Sequence, residues 1–330
     1  MATTPQDSTN PLNPSSSTLP RESATAPATL ADVAAEQGVV AAERGGGRGR
    51  QLPDWWLVLW RNKRSRVGLF LFAFFVFIGI FGPWLTPHDP RDTSFMPIES
   101  PSSTHWLGTT QSGEDVLSQL IYGTRTSLIV GIVAGAFATA IGLVIGMIAG
   151  YVGGMTDEVL SFFINVALVV PALPLMITLA AYSPVKGLWL IIIVISITGW
   201  AWGARIKRAQ MITLRERDYI SAAKFAGDSM PRIVFREIMP NMTSLIVAGF
   251  MGAATAAIGA EAALEFIGVG DPTVISWGTM MYWANVNGAM LVGQWGWLLA
   301  PGLALALLIT SIALINFGVD ALSNPHLRED

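Results

Sequence analysis

The chain has 330 residues, 52% of them hydrophobic and 13% charged, with a mean hydropathy of +0.50 and a formal net charge of −3. So apolar a composition excludes an ordinary soluble domain, and the absence of cysteine excludes disulfides, thiolate metal sites and cysteine nucleophiles. What remains is a membrane protein, and its spans are expected to be helices because lipid offers backbone groups no hydrogen-bond partner.

In chain order, residues 1–52 are rich in Ser, Thr, Pro, Ala and Gly and run into "GGGRGR". Such a segment buries too little apolar surface to offset the entropy of ordering, so a disordered tail is expected. It is not a signal peptide, since no apolar core precedes Trp55. A span needs about 20 apolar residues, and six segments qualify: 67–85, 128–152, 159–182, 188–206, 243–267 and 297–319. The organisation this implies is a tail (1–52), an N-terminal region with the first span and an outer loop (53–127), a transmembrane core (128–322) and a short tail (323–330).

Seventeen of the 20 Lys and Arg fall before the first span, between Arg205 and Arg236, or at Arg328; only Arg91, Arg125 and Lys186 lie elsewhere. The positive-inside rule therefore puts both termini and the 207–241 insert in the cytoplasm, and 86–127, 183–187 and 268–296 outside.

Within the second span, "GLVIGMIAG" repeats Gly142, Gly146 and Gly150 every fourth residue, with Gly131 and Gly135 above them. Such a ridge lets helix backbones approach closely, and packing is the preferred reading over a pathway. The third span carries Pro171 and Pro174 above Asn165, a kink pattern that serves gating or shape. In the fifth, Glu261 and Glu265 share a helix face near the outer end. Charges at depth usually face an interior or a water cavity, so with Asn165 they are pathway or gate candidates, unless both glutamates snorkel to the interface. Trp277, Tyr282, Trp283, Trp295 and Trp297 suit an interfacial aromatic belt.

Between the fourth and fifth spans lies "RDYISAAKFAGDSMPRIVFREIMPN", Arg217 to Asn241. Its grammar is two short helices and a sharp turn. Ile220 to Ala226 favours helix, Gly227 follows where a left-handed cap is wanted, and Asp228 or Ser229 can start a second helix that admits Pro231 in its first turn. Pro240 is expected to stop that helix. The pair either rests on anionic lipid or offers its small residues to another surface.

Catalytic signatures are missing. No lysine follows a glycine, so there is no G-x-x-x-x-G-K-[ST] phosphate loop, and neither a G-x-S-x-G elbow nor an H-E-x-x-H helix occurs. The histidines, His88, His105 and His326, show no spacing for a metal or a nucleophile.

The run "SAAKFAGDSMPRIVFREIMPN" resembles the cytoplasmic EAA loop of the inner-membrane permeases of ABC importers. Ala222, Ala223, Gly227, Ile238 and Pro240 match that pattern, while Ser221 replaces its Glu and Met239 its Leu. "HWLGTTQSGEDVLSQLIYGTRTSLIVG" is similar to a segment of the oligopeptide and dipeptide permease family, C-type, with Glu114 and Gln119 standing in place of two usual arginines. "EAALEFIGVGDPTVISWGTMM" and "WWLVLWRNKRSRVGLFLF…PWLTPHDP" resemble the same family, which extends the likeness over about residues 55–328. "GTTQSGEDVLSQL", "GWAWGAR" and "INFGVDALSNPHL" are more similar to a branch that takes β-linked oligosaccharides than to the peptide branches.

The resemblance implies an all-α, six-span permease of type I ABC importer architecture in a bacterial inner membrane. It also implies that Ser221, Ala222, Ala223, Gly227, Ile238 and Pro240 form the loop coupled to an ATPase. Partners would be a second homologous permease, two ATP-binding subunits, an external solute-binding protein and membrane lipid, with no nucleic acid. ATP and Mg would sit on the partner subunits, leaving no cofactor and no metal in this chain. The substrate would be an oligosaccharide or an oligopeptide. An ion-driven secondary transporter is the alternative, and it calls for inverted repeats with broken midplane helices, against which the uninterrupted "LWLIIIVISITGWAW" and the single basic insert speak.

Overall fold

The computed structural model describes residues 60 and 62–323; the expected N-terminal tail and residues 324–330, with His326 and Arg328, lie outside the described residues. Among the described residues these α-helices follow one another: α1 (Lys63–Leu85), α2 (Val116–Val152), α3 (Gly154–Val169), α4 (Ala172–Tyr182), α5 (Leu188–Arg215), α6 (Asp218–Phe225), α7 (Met230–Arg232), α8 (Thr243–Phe266), α9 (Trp277–Val286) and α10 (Trp295–Ser323). Among the described residues the sole β feature is an isolated bridge between Thr109 and Asp115.

Among the described residues five stretches are long and apolar enough to cross a bilayer by themselves, and α3 with α4 makes a sixth if that bent pair is one span. The expected third span is therefore broken rather than kinked, with 87° between its halves. Pro171 explains the break. It lacks an N–H, and its ring pushes Val170 into extended backbone, φ −68 and ψ 126.

Two spans outrun their expected limits. α2 begins at Val116, not 128, because Asp115 caps it by accepting from the Ser118 N–H at 2.8 Å; the boundary drawn at 127/128 falls inside this helix. α5 runs on through "KRAQMITLR" to Arg215. A 37-residue helix is about 55 Å long, so α2 passes well beyond a hydrocarbon core of about 30 Å.

α2 is the central helix. On one side Phe75, Leu128, Ile258, Trp277, Leu308 and Ile312 join it to α1, α8, α9 and α10. On the other, Val130, Ala134, Met176, Ile191, Ile195 and Leu264 join it to α4, α5 and α8. Its glycines are divided between the two faces. A Cβ on Gly135 would lie 2.7 Å from the Ala254 Cα of α8, whereas on Gly142, Gly146 and Gly150 it would meet the α5 carbonyl oxygens of Trp200, Ala204 and Arg208 at 2.7, 2.5 and 2.7 Å. The expected packing ridge is thus where two helix backbones touch. Outward-facing side chains such as Phe70, Phe74, Phe77 and Trp84 of α1 are exposed and apolar, as a lipid-facing surface requires.

α3 is tied to α5 by charge. Arg208 grips Asp157 with two parallel bonds, Nη2 to Oδ2 at 2.7 Å and Nε to Oδ1. Asp157→Asn is expected to weaken this clamp by about 1–3 kcal/mol, the range of a charge-assisted hydrogen bond. Faster amide exchange in α3, with α2 unchanged, is the measurement that checks it.

Candidate functional site

The insert after α5 folds as a two-sided element. Ile220, Ile233, Ile238 and Met242 are buried against Met147 of α2 and against Met211 and Leu214 of α5. Its opposite side is apolar yet exposed: Phe225 (93%), Phe235, Met230 and Tyr219. Arg215 Nη1 donates to the Gly150 and Tyr151 carbonyls at 2.9 and 3.2 Å, capping the end of α2 with charge. These contacts put the insert at the end of the bundle where α2 and α5 finish.

The turn forms as its residues dictate. Gly227 sits at φ +82, its N–H bonds the Lys224 carbonyl at 3.0 Å and the Asp228 N–H bonds the Ala223 carbonyl at 3.1 Å, which is the Schellman closure of α6. Ser229 takes the N-cap position of α7 without a side-chain bond, and Pro231 lies in its first turn. Pro240 does not stop the helix. The backbone widens to a π-turn over Ile233–Ile238 and tightens to a 3-10 turn over Met239–Met242 before α8 begins. The π-turn shifts the hydrogen-bond ladder just where the proline lacks an N–H and its ring would strike the carbonyl four residues back.

Of the six loop residues the sequence singled out, Ser221, Ala222, Gly227 and Pro240 are exposed and Ala223 is half-buried. Ile238 is fully buried and anchors the loop instead of facing outward. Composition could not assign Phe225 and Phe235 to the outer face; helical phase could for Phe225, five residues past Ile220, but not for Phe235, since three residues before Ile238 is the same face of an α-helix and the π-turn is what departs from it.

Glu261 and Glu265 do not snorkel. Both are buried, at 0% and 3% exposure, facing α2 and α9. Ser127 Oγ donates to Glu261 Oε2 at 3.3 Å, while Glu261 Oε1 and Glu265 Oε2 have no hydrogen-bond partner. Gly270 and Gly278 close over Glu265, each leaving only 2.5 Å between a would-be Cβ and its side chain. Asn165 is not brought to them; it is exposed on α3.

At the end opposite the insert, three positions spread over residues 88–115 converge. His105 Nδ1 lies 2.9 Å from Asp115 Oδ1, and Asp115 Oδ2 accepts from the Ser118 hydroxyl at 2.7 Å. His88 Nδ1 lies 3.9 Å from the same carboxylate and has no hydrogen-bond partner. The Phe95 ring packs on both imidazoles. Ligand-type atoms of His88, His105 and Asp115 all lie within 4.8 Å of one another, a grouping that could hold a cation and that linear spacing did not reveal.

Nearby, Gln119 Nε2 donates to the Pro90 carbonyl and Glu114 accepts from the Thr110 hydroxyl. Both line a cavity of about 420 Å³ that Trp283 of α9 and Asn287, just past its end, also border. In the loop beside it, hydrogen bonds from the Thr273 hydroxyl and N–H hold the Asp271 carboxyl below its ordinary range. The aromatic residues expected to form a belt are divided here: Trp277 and Trp297 are buried, while Trp283 and Trp295 are exposed.

A bundle of long apolar helices with one basic insert defines a multi-pass membrane protein. Residues 142–329 match the family described as "Binding-protein-dependent transport system inner membrane component", and residues 51–101 match "N-terminal TM domain of oligopeptide transport permease C". The chain belongs to this family of ABC importer permeases, whose members are non-catalytic. It is 36% identical over 290 residues to the dipeptide transport system permease protein DppC of Escherichia coli (strain K12), covering 84% of this chain and 94% of that one. Against DppC of Bacillus subtilis (strain 168) it is 34% identical over 278 residues, 83% and 86% of the two chains. With the oligopeptide transport system permease protein OppC of the same bacterium the identity is 32% over 221 residues, 66% and 72%. Among solved structures, an inward-facing MetNI methionine ABC transporter chain superposes with a TM-score of 0.50 at 20% identity, covering 63% of this chain and 96% of that one. The type I permease fold expected from the resemblance is the fold observed.

Proposed function

We propose that this chain is one of two permease subunits in an ATP-driven importer of dipeptides or short oligopeptides. The observation that carries the peptide reading is the naming of its relatives: those that cover most of the chain are dipeptide and oligopeptide permeases. That weight favours peptides over the oligosaccharides suggested by "GTTQSGEDVLSQL", since Glu114 and Gln119 serve local bonds in the structure and give no sugar-specific contact. Family membership also counts against an ion-driven carrier.

In this reading the insert is cytoplasmic, as the basic residues suggest, and its exposed face docks on an ATPase subunit. Phe225 and Phe235 supply apolar contact, and the small Ala222 and Gly227 allow close approach. ATP binding on the partner subunits draws the loop inward, and because Ile220, Ile233 and Ile238 are packed on α2 and α5, those spans follow. The buried Glu261 and Glu265 lie where α2, α8 and α9 meet and are candidates for a gate. An external binding protein delivers the solute at the opposite end.

The test is ATPase activity of the reconstituted complex with its binding protein against panels of peptides and β-linked oligosaccharides. Stimulation by peptides is expected. Stimulation by sugars alone would overturn the peptide assignment, and hydrolysis of ATP by the isolated chain would overturn the division of labour.

A further inference from the structure

A cavity of about 430 Å³ lies between α2, α5 and α8, in the part of the bundle nearest the insert. Lys207, eight residues before the end of α5, and Leu245, the third residue of α8, both line it. Lys207 is only 2% exposed. Among the described residues no hydrogen bond or ion pair engages its ammonium, and none of the residues lining the cavity is acidic. Its neighbour Arg208 is committed to Asp157.

The ammonium therefore faces this space with no counter-charge on an otherwise apolar wall, a setting in which a charged group calls for a partner of opposite sign. Thr139 lines the same cavity, and its Oγ1 is buried without a hydrogen-bond partner. Lys207 and Thr139 thus border one space that holds no carboxylate. Small residues on α5 itself and on the facing α8 leave that space open. A Cβ on Gly203 or Gly249 would come within 3.0 or 3.4 Å of Lys207 Nζ, and Gly199, Ala248 and Gly252 continue the small-residue lining. A volume of this size is in the range of small-molecule sites, more than one carboxylate side chain from a neighbouring helix would fill.

We propose that this cavity binds the carboxylate group of the transported solute, with Lys207 as its anion-binding residue and Thr139 as a second donor. For a peptide the ligand group is the C-terminal carboxylate, and the inference rests on the peptide-import reading above. Apart from Thr139, the rest of the lining is Gly and Ala with Trp202, Ile206 and Leu245 and offers no charged contact, which suits a permease that passes many peptides with one common anionic end.

The test uses the complete importer in proteoliposomes, with alanyl-alanine delivered by saturating binding protein. Lys207→Met keeps length without charge, and Lys207→Arg keeps charge. Uptake by K207M is expected to fall about tenfold or more, as when one member of a buried charge pair is removed, while K207R retains most of it. Alanyl-alanine amide, which lacks the carboxylate, is expected to move equally well through wild type and K207M. A wild-type complex that moves no peptide defeats the import reading and this site with it. Wild-type uptake matched by K207M defeats the carboxylate site alone. So does loss of the second permease from purified K207M complex, which would mean that a partner carboxylate pairs with Lys207. Equal losses in K207M and K207R would mark a packing role and overturn the proposal.

Discussion

Gly227→Val is expected to abolish solute-stimulated transport while leaving the chain inserted and folded. At φ +82 a β-branched residue pays a backbone penalty of about 1–2 kcal/mol, yet a Cβ there would meet nothing within 4 Å. The damage is therefore conformational and local. It falls on the Schellman closure that turns α6 into α7, and with it on the relative placement of Phe225 and Met230 across the turn. α6 remains anchored by Ile220 and the π-turn by Ile233 and Ile238, so the bundle has no reason to unfold. The expected result is basal ATPase activity that no longer responds to solute, with wild-type amounts of chain in the membrane. Gly227→Asn is the control, since asparagine tolerates the left-handed region, and it is expected to keep most coupling. Full transport by the valine variant would remove the loop from the coupling path.

How far the sequence went toward this picture depended on the range of the interaction. The apolar runs, the Gly227 turn and the Pro171 disruption are local, and each was readable from a few neighbouring residues. Helix ends were less legible, because they depend on whether polar residues continue a helix past the bilayer: Asp115 starts α2 twelve residues before its apolar run, and Lys207 to Arg215 prolong α5. Pro240 misled because local rules stop a helix at proline, whereas a widened turn upstream absorbed it. Side-chain partnerships across the chain were the least legible. Glu261 with Ser127, Asp157 with Arg208, and His88 with His105 and Asp115 are joined by tertiary packing that no spacing encodes. The empty side of Lys207 belongs to the same class, since a lysine in a basic run looks like any solvated charge until its surroundings are seen.

Gly146→Ile is expected to be the most damaging single change in the membrane core, because it strikes backbone and not side chain. A Cβ at this position would stand 2.5 Å from the Ala204 carbonyl oxygen and 3.1 Å from the Arg208 amide nitrogen. Overpacking against movable side chains costs about 1–3 kcal/mol; here neither neighbour can rotate away, so α2 and α5 must separate. Separation carries further losses with it. Lys207 Cβ is also 3.1 Å from the same point, and the Arg215 bonds that cap α2 depend on the same register. In lipid, where helix association rests on close contact and not on expulsion of water, little remains to hold the pair once that contact is lost. Gly259→Ile in α8 is the matched control: the same side chain enters a membrane helix at a glycine whose Cβ would meet nothing within 4 Å. A melting temperature and membrane abundance that fall sharply for the Gly146 variant and little for the Gly259 variant are the expected results. Equal behaviour of the two would mean that the α2–α5 contact is not what holds the bundle together, and would also remove the frame on which the insert is anchored.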